Sequence, residues 1–232
     1  MNNSSSNQVK KLDEKEYIAL SNLDLYDSPK CESLATQAAC HRHLKIIAID
    51  DALKVMEVRL LEDGYQAWLP QQSLDKLQIT SDYYQPTLYS RQSIEQIIPH
   101  AIAFAQAAMA RPNYYLWGGT VAPNYDCSGL VQAAMSNFGV WLPRNSYQQA
   151  AFTTRIAEND LEPGDLVFFA KKHQVDHVGL YLGDRYYIHS SGKDMGRNGI
   201  GIDRLGNEGD TIGKAYYQYF WGCGRIMQSF IP

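Results

Sequence analysis

Short apolar stretches separated by turn residues follow one another between residues 16 and 77. Within each stretch apolar and polar residues tend to alternate, which is the period of a half-buried β-strand. Closely spaced strands of this kind are typical of a small all-β barrel. The predicted strands are Tyr17–Leu20, Asp24–Pro29, Lys45–Ala48, Leu53–Val58 and Gly64–Pro70.

A helical period replaces this pattern further along the chain. Residues 93–98 have helical spacing, and the alanine-rich residues 101–110 form helices readily. Pro99 lies between them and lacks the N–H that a helix interior needs, so we expect either a kink or a fresh helix starting there. Another helix is predicted from Cys127 to a stop at Gly139.

Strand-like runs return after residue 165. We predict strands at Leu166–Phe169, Val178–Leu182, Tyr186–His189 and Ile226–Met227. Helices therefore come first and an antiparallel sheet second, an α+β order in which the Cys127 helix packs across the sheet. The expected fold class is an α+β domain preceded by a small all-β barrel.

These patterns divide the chain into four parts. Residues 1–14 are a polar tail that we expect to be flexible, residues 15–80 form the barrel, and residues 92–232 form the α+β domain. Residues 81–91 connect the two domains. Because this linker contains several tyrosines, we expect it to pack on the domains instead of swinging freely.

Charge and length exclude some functions. The 232 residues carry a formal net charge of −4 and no basic stripe, which argues against nucleic acid or an anionic membrane as the main partner. The first residues lack the apolar core of a signal peptide, and no run reaches the length of a membrane span. We therefore expect a cytoplasmic protein whose four scattered cysteines stay reduced.

Cys127 lies where a polar loop turns into a helix. The unpaired N–H groups and the positive end of the helix dipole in that first turn favour a thiolate, which is the nucleophilic form. We therefore expect a pKa well below that of a free thiol. The alternative is a small buried residue, because free cysteine is among the most buried residue types.

Two histidines support the nucleophile interpretation. His177 and His189 lie near the open ends of a predicted hairpin, where they could supply a base and the group that orients it. A regular two-residue turn would send the two side chains to opposite faces, whereas a three-residue loop Gly183–Arg185 would place them on one face. We therefore predict an odd-length loop or a bulge.

Several separated motifs surround these residues in a characteristic order. They are Tyr115–Gly119, Asp126–Leu130, Leu142–Ser146, Leu161–Phe169, His177–Tyr181 and Ile188–Ser190. Together they resemble the NlpC/P60 family of papain-like peptidases, which cut bacterial cell-wall peptides. The resemblance covers roughly residues 92–232. It implies Cys127 as nucleophile, His177 as base, His189 as the orienting residue and Tyr115 near the oxyanion.

The N-terminal barrel also has a family resemblance. The segments Asp24–Pro29 and Gly64–Pro70 are similar to the start and end of a bacterial SH3-like domain. Such domains commonly accompany wall peptidases, so the two resemblances support each other.

The implied activity is hydrolysis of the γ-D-glutamyl bond to diaminopimelate or lysine in murein peptides. With a cytoplasmic location, the expected substrate is a small murein peptide with a free N-terminal L-alanine, and the expected role is recycling. No metal or cofactor is expected. The alternatives are a wall-remodelling hydrolase, a related amidase or acyltransferase, and a binding module without catalysis.

Candidate substrate-binding residues follow from this interpretation. Asp126, Ser146 and Tyr65 are candidates to receive the substrate ammonium, and Asp126 could also cap the Cys127 helix. Arg144 could bind a substrate carboxylate or form a structural ion pair. A zinc site that adds His173 to the catalytic residues is a less favoured alternative.

Overall fold

Two separate structural units make up the chain, which divides between Gln85 and Pro86. The computed structural model describes residues 10–11 and 15–232. The predicted tail, residues 1–14, lies outside the described residues except for Lys10–Lys11, which pair with a strand of the first unit.

The first unit is an antiparallel sheet. Its strands are β1 (Lys10–Lys11), β2 (Glu16–Ala19), β3 (Leu23–Tyr26), β4 (Leu34–Ala38), β5 (His43–Asp50), β6 (Val55–Leu60), β7 (Gln66–Pro70) and β8 (Leu77–Thr80). They lie in the order β4-β3-β7-β6-β5-β2-β8, with β1 added to β5. Buried side chains such as Leu25, Leu44, Met56 and Leu69 form its single apolar cluster.

Sequence pattern identified five of these strands but not β1, β4 or β8. In β4 the buried positions are Thr36 and Ala38, which are too small or too polar to give an apolar alternation. In β8, Ile79 is exposed although it is the most apolar residue of the strand. Both strands therefore depend on pairing with neighbours and not on their own pattern.

The aromatic linker packs on the units, as predicted. The backbone N–H of Tyr84 donates to a Glu16 carboxylate oxygen, and its ring lies 5.8 Å from that of His43. Further along, Tyr89 packs against the apolar core of the second unit.

Four α-helices belong to the second unit: α1 (Arg91–Met109), α2 (Cys127–Ser136), α3 (Ser146–Phe152) and α4 (Thr211–Tyr217). Of the two alternatives expected at Pro99, the fresh helix is wrong, because α1 runs through this residue. Pro99 is exposed, and so is Glu95, whose carbonyl loses its helical partner and faces water. Within the described part of the chain, no helix is long and apolar enough to cross a membrane.

The sheet of the second unit has six antiparallel strands. They are β11 (Thr154–Ile156), β12 (Leu166–Phe169), β13 (His177–Gly183), β14 (Tyr186–Ser191), β15 (Gly199–Arg204) and β16 (Phe220–Arg225), and β9 (Thr120–Val121) pairs separately with β10 (Asn124–Tyr125). The sheet order is β11-β16-β12-β13-β14-β15. The strand predicted at Ile226–Met227 is wrong, because β16 ends at Arg225. Ile226 is apolar because it packs in the core.

The hairpin of β13 and β14 has the predicted register. Leu180 pairs with Ile188, and a bulge then precedes the turn at Asp184–Arg185. This offset places His177 and His189 on the same face, where their rings are hydrogen-bonded. The prediction of an odd-length loop or a bulge is therefore confirmed.

Apolar clusters cover both faces of the sheet. On one face α2 packs through Leu130 and Val131 against Val178 and Ile188, so the Cys127 helix crosses the strands that carry the histidines. On the other face a second cluster forms around Phe169. The α+β fold class is confirmed by this arrangement.

Gly129 allows the start of α2 to approach a neighbouring loop. A Cβ atom at this position would fall on the carbonyl oxygen of Gly119, well inside contact distance. Because Gly119 is backbone-bonded to Leu116 and Asp126, it cannot move aside without disturbing the residues around Cys127.

Gly129→Ala should therefore destabilise the protein, although alanine in an ordinary helix gains about 1 kcal/mol over glycine. We expect a loss of about 1–3 kcal/mol in the free energy of unfolding, which is typical of overpacking. Urea unfolding measures this, with Ser136→Ala in the same helix as the control that should change stability by less than about 0.5 kcal/mol. A more stable Gly129→Ala protein would contradict the close packing.

Candidate active site

Asp126 organises the start of α2. Its Oδ1 accepts the N–H of Gly129 at 2.6 Å, and its Oδ2 accepts the N–H of Gly118 at 2.9 Å. The predicted helix cap is confirmed. One carboxylate thus joins the nucleophile helix to the glycine loop that precedes it.

Arg144 completes this arrangement from the segment before α3. Its guanidinium donates to both oxygens of Asp126 and, at 2.9 Å, to the hydroxyl of Ser128. Only 2% of Arg144 is exposed, so a substrate carboxylate cannot reach it. The substrate-binding assignment of Arg144 is wrong, and the alternative of a structural ion pair is confirmed.

Cys127 is the first residue of α2 and is almost fully buried. The backbone N–H groups of Ser128 and Val178 donate to its sulfur. Val178 directly follows His177 on β13, so the sulfur is hydrogen-bonded to the backbone next to the histidine that the sequence nominates as its base.

The protonation of Cys127 differs from the expectation. Burial raises the pKa of its thiol to about 12, with the Asp126 charge acting in the same direction, and the N–H donors and Arg144 only partly oppose this. Burial likewise lowers the pKa of His177 well below its ordinary value. The predicted low thiol pKa is therefore wrong for the free enzyme, because desolvation outweighs the helix dipole. A neutral thiol and a neutral imidazole are the favoured pair.

A chain of hydrogen bonds holds His177. Its Nε2 lies 2.7 Å from Nδ1 of His189, and Nε2 of His189 lies 2.6 Å from a carboxylate oxygen of Asp203. Arg197 donates to the other Asp203 oxygen. The side chains of His189 and Asp203 are fully buried, so no water competes for these bonds.

The chain determines which nitrogen of each ring carries the proton. An ionised carboxylate only accepts hydrogen bonds, so Nε2–H of His189 donates to Asp203 and its Nδ1 must accept. The donor to that Nδ1 is Nε2–H of His177. Nδ1 of His177 is then the unprotonated nitrogen, and it is the atom that can take a proton from a thiol.

Stacking fixes the plane of the base. The ring of Tyr216 lies 4.4 Å from that of His177 at an interplanar angle of 26°, and its hydroxyl is 2.7 Å from Ser191 Oγ. Tyr216 belongs to α4, so a helix late in the chain supports a residue of β13. This contact and the bond to His189 together leave His177 little freedom to rotate.

Asp203, Arg197 and Tyr216 were not predicted from the sequence. Asp203 lies on β15, where Ile200 and Ile202 alternate with glycines and the strand signal is weak. Gly201 of this strand is required by Arg197, because a Cβ there would overlap the guanidinium that reaches Asp203. The alternation ending in a charged residue is the one signal that could have identified the strand.

Tyr115 also lies near the thiol. Burial raises the pKa of its hydroxyl far above the ordinary value, with the charge of Asp126 adding to the effect. The hydroxyl therefore stays protonated and can donate a hydrogen bond. Tyr115 and His177 both line a cleft of about 260 Å³.

The remaining predicted substrate residues are not placed at an open site. Ser146 is buried, and its hydroxyl points to the carbonyl of Val175 at 3.5 Å. Tyr65 belongs to the first unit and packs against its apolar core. The ammonium-binding roles of Asp126, Ser146 and Tyr65 stay predictions.

The zinc alternative has no support in the geometry. Both ring nitrogens of His189 are engaged by His177 and Asp203, and His173 lies in an exposed loop. Over residues 15–232, no group of three or more His, Cys, Asp and Glu side chains is arranged to hold a metal. The four cysteines are free thiols.

A thiol at the start of a helix, packed across an antiparallel sheet that carries a histidine pair, defines the papain-like class. Residues 112–220 match the NlpC/P60 family, and residues 25–74 match the bacterial dipeptidyl-peptidase SH3 domain. The second unit is thus an NlpC/P60 domain, and the first carries a bacterial SH3 domain. Both predicted resemblances are confirmed.

Two curated bacterial proteins are similar to part of this chain. The probable endopeptidase p60 of Listeria monocytogenes is 36% identical over 125 residues, 54% of this chain and 23% of the relative. A probable endopeptidase of Mycobacterium tuberculosis is 39% identical over 90 residues, 38% of this chain and 23% of that protein. The chain spans less than a quarter of the length of these curated relatives.

A solved structure shares the fold over most of the chain. The crystal structure of an NlpC/P60 family protein from Bacillus cereus matches with a TM-score of 0.50 at 24% identity. The match covers 92% of this chain and 64% of that one.

The raised thiol pKa predicts a neutral Cys127 in the free enzyme. At about pH 7 a thiol with a pKa near 12 is almost entirely protonated. The ultraviolet difference spectrum between the wild type and Cys127→Ala should therefore show no thiolate absorbance. A thiolate band that persists into mildly acidic solution would instead demonstrate a thiolate–imidazolium pair.

Asp203→Asn should reverse the protons of the histidine chain. Arg197 only donates, so it would bind the amide oxygen and leave the amide NH₂ facing Nε2 of His189. Nδ1–H of His189 would then donate to Nε2 of His177, and the proton of His177 would move to its Nδ1. That nitrogen could no longer accept a proton from the thiol. We expect kcat to fall by roughly 100-fold or more with KM little changed.

A double-mutant cycle tests that Asp203 acts through His189. In a His189→Gln background, Asp203→Asn should cost far less than in the wild type, because the histidine that transmits its effect is gone. Thermal unfolding of each variant checks that folding is retained. Independent, multiplicative losses would mean that Asp203 only supports the fold.

Proposed function

We propose that this chain is a cysteine endopeptidase that hydrolyses the γ-D-glutamyl bond to diaminopimelate or lysine in murein stem peptides. The main support is the buried chain from Asp203 through His189 to His177, the residue before Val178, whose N–H donates to the sulfur of Cys127. A binding module has no need of a base held in one tautomer. The names of the endopeptidase relatives support the same reaction class.

In the proposed first step the Cys127 sulfur attacks the γ-carbonyl carbon of D-glutamate. The thiol proton moves to Nδ1 of His177 as the carbon–sulfur bond forms, so a free thiolate need not accumulate. The backbone N–H of Cys127 and the hydroxyl of Tyr115 are the proposed donors to the oxyanion. Tyr115 suits this role because its hydroxyl keeps its proton.

The intermediate then breaks down with His177 acting as an acid. Its Nδ1–H protonates the leaving nitrogen of the diamino acid as the carbon–nitrogen bond breaks, leaving a thioester on Cys127. Water, deprotonated by the neutral His177, attacks the thioester and restores the thiol. The products are the L-alanyl-D-glutamate dipeptide and the shortened peptide or free diamino acid.

The substrate is proposed to be a small murein peptide whose L-alanine amine is free. The match of residues 25–74 to the bacterial dipeptidyl-peptidase SH3 domain supports this, because removing a dipeptide requires a free N-terminus nearby. The Asp126 carboxylate, directly before the nucleophile, is the proposed acceptor for the ammonium. A cytoplasmic role in recycling wall peptides belongs to the same proposal.

Comparing two peptides tests the proposal. L-alanyl-γ-D-glutamyl-diaminopimelate should be split into L-alanyl-D-glutamate and diaminopimelate, and Cys127→Ala should abolish the reaction. Acetylation of the alanine nitrogen should lower kcat/KM by about 100-fold or more, because the acylated nitrogen carries no charge for the proposed carboxylate to bind. Mass spectrometry quantifies the products.

The outcomes separate the alternatives. Equal turnover of the free and acetylated peptides would eliminate the ammonium site and the recycling role, and would favour a wall-remodelling hydrolase. Failure to cleave either peptide would overturn the proposed endopeptidase activity itself.

A further inference from the structure

The cleft beside His177 carries an ion pair that the proposed reaction has not used. Tyr115 and Trp117 form part of its walls, and Lys171 and Asp194 lie at its rim. Trp117 is 70% exposed, so an aromatic surface is available to a bound molecule. His177, the proposed base, also lines this cleft, so the proposed reaction brings the substrate to it.

The proposed reaction brings its leaving group to this cleft. An acid that protonates a leaving nitrogen must be within hydrogen-bond reach of it. His177 is that acid in the proposed mechanism, so the diamino acid released in the first step lies against the part of the site that His177 lines. This step rests on the proposed function.

The rim pair presents one charge of each sign. Nζ of Lys171 lies 2.9 Å from Oδ2 of Asp194, with 39% and 66% of the two side chains exposed. The pKa of Asp194 is lowered, chiefly by the hydrogen bond from Lys171, so the carboxylate is ionised at neutral pH. An exposed pair of this kind adds little to stability and can exchange partners readily.

We propose that Lys171 and Asp194 bind the far end of the diaminopimelate side chain and make the enzyme selective for this diamino acid over lysine. That end carries an ammonium and a carboxylate on one carbon, so it can replace the internal ion pair with two charge-assisted hydrogen bonds. Lysine ends in an ammonium alone. That ammonium would bind Asp194 and leave Lys171 without its partner.

Three peptides and three variants test this assignment. The peptides share L-alanyl-γ-D-glutamate and end in meso-diaminopimelate, in diaminopimelate amidated on its distal carboxylate, or in L-lysine. The variants are Lys171→Met, Asp194→Asn and Lys172→Met. Lys172 is the matched control, because it is an exposed neighbour of Lys171 that does not line the cleft.

Each variant has its own expected pattern in kcat/KM. The wild type should prefer the diaminopimelate peptide by about tenfold over the other two, the effect of one charged hydrogen bond. Lys171→Met should remove this preference by lowering turnover of the diaminopimelate peptide alone. Asp194→Asn should slow all three peptides, since each carries the ammonium, and Lys172→Met should change none.

Ratios between peptides are the decisive quantity. The Lys171 charge also lowers the pKa of His177, so Lys171→Met can change turnover of all three peptides equally through the base. An unchanged preference for diaminopimelate in Lys171→Met would overturn the assignment. If the wild type cleaves none of the peptides, the proposed function fails, and this inference fails with it. Cleavage of all three at equal rates contradicts only the selectivity.

Discussion

The buried ion pair between Asp126 and Arg144 is the interaction on which the site depends. Asp126 caps α2, binds the loop at Gly118 and accepts from a guanidinium that belongs to the segment before α3. Three parts of the chain therefore meet at one carboxylate. Removing either member of a buried pair leaves an uncompensated charge and costs about 3–5 kcal/mol, so neither residue is free to vary alone.

Burial of Cys127 positions its thiol and also disfavours ionisation of that thiol. Packing α2 across the sheet places Cys127 beside the strand that carries its base, but it also removes water from the thiol. Desolvation then keeps both thiol and imidazole neutral. The histidine chain offsets this cost, because a base whose proton position is already determined can accept the thiol proton as attack begins. Positioning, not a permanently charged nucleophile, is what the fold supplies.

Short-range sequence pattern was sufficient for the elements with strong periodicity. Cys127 at a helix start, the His177 and His189 hairpin and its bulge followed from spacing and strand alternation. Asp203 did not, because its strand alternates isoleucine with glycine, and the need for Gly201, which leaves room for Arg197, is visible only in three dimensions. Arg144 was ambiguous for a similar reason, since a guanidinium suits a substrate or a buried carboxylate equally well until its partner is known.

The error over the thiol has a more general origin. A helix dipole can be inferred from sequence because the cap and the helix are local, whereas desolvation depends on every element that covers the site. At Cys127 the covering elements include β13, whose N–H at Val178 donates to the sulfur, and they are distant in sequence. The helix dipole favours the thiolate and desolvation favours the thiol, so only the folded arrangement decides between them. In the proposed reaction, a substrate that brings its carbonyl to the sulfur changes that balance again, because negative charge then develops on an oxygen that Tyr115 is proposed to bind instead of on a buried sulfur.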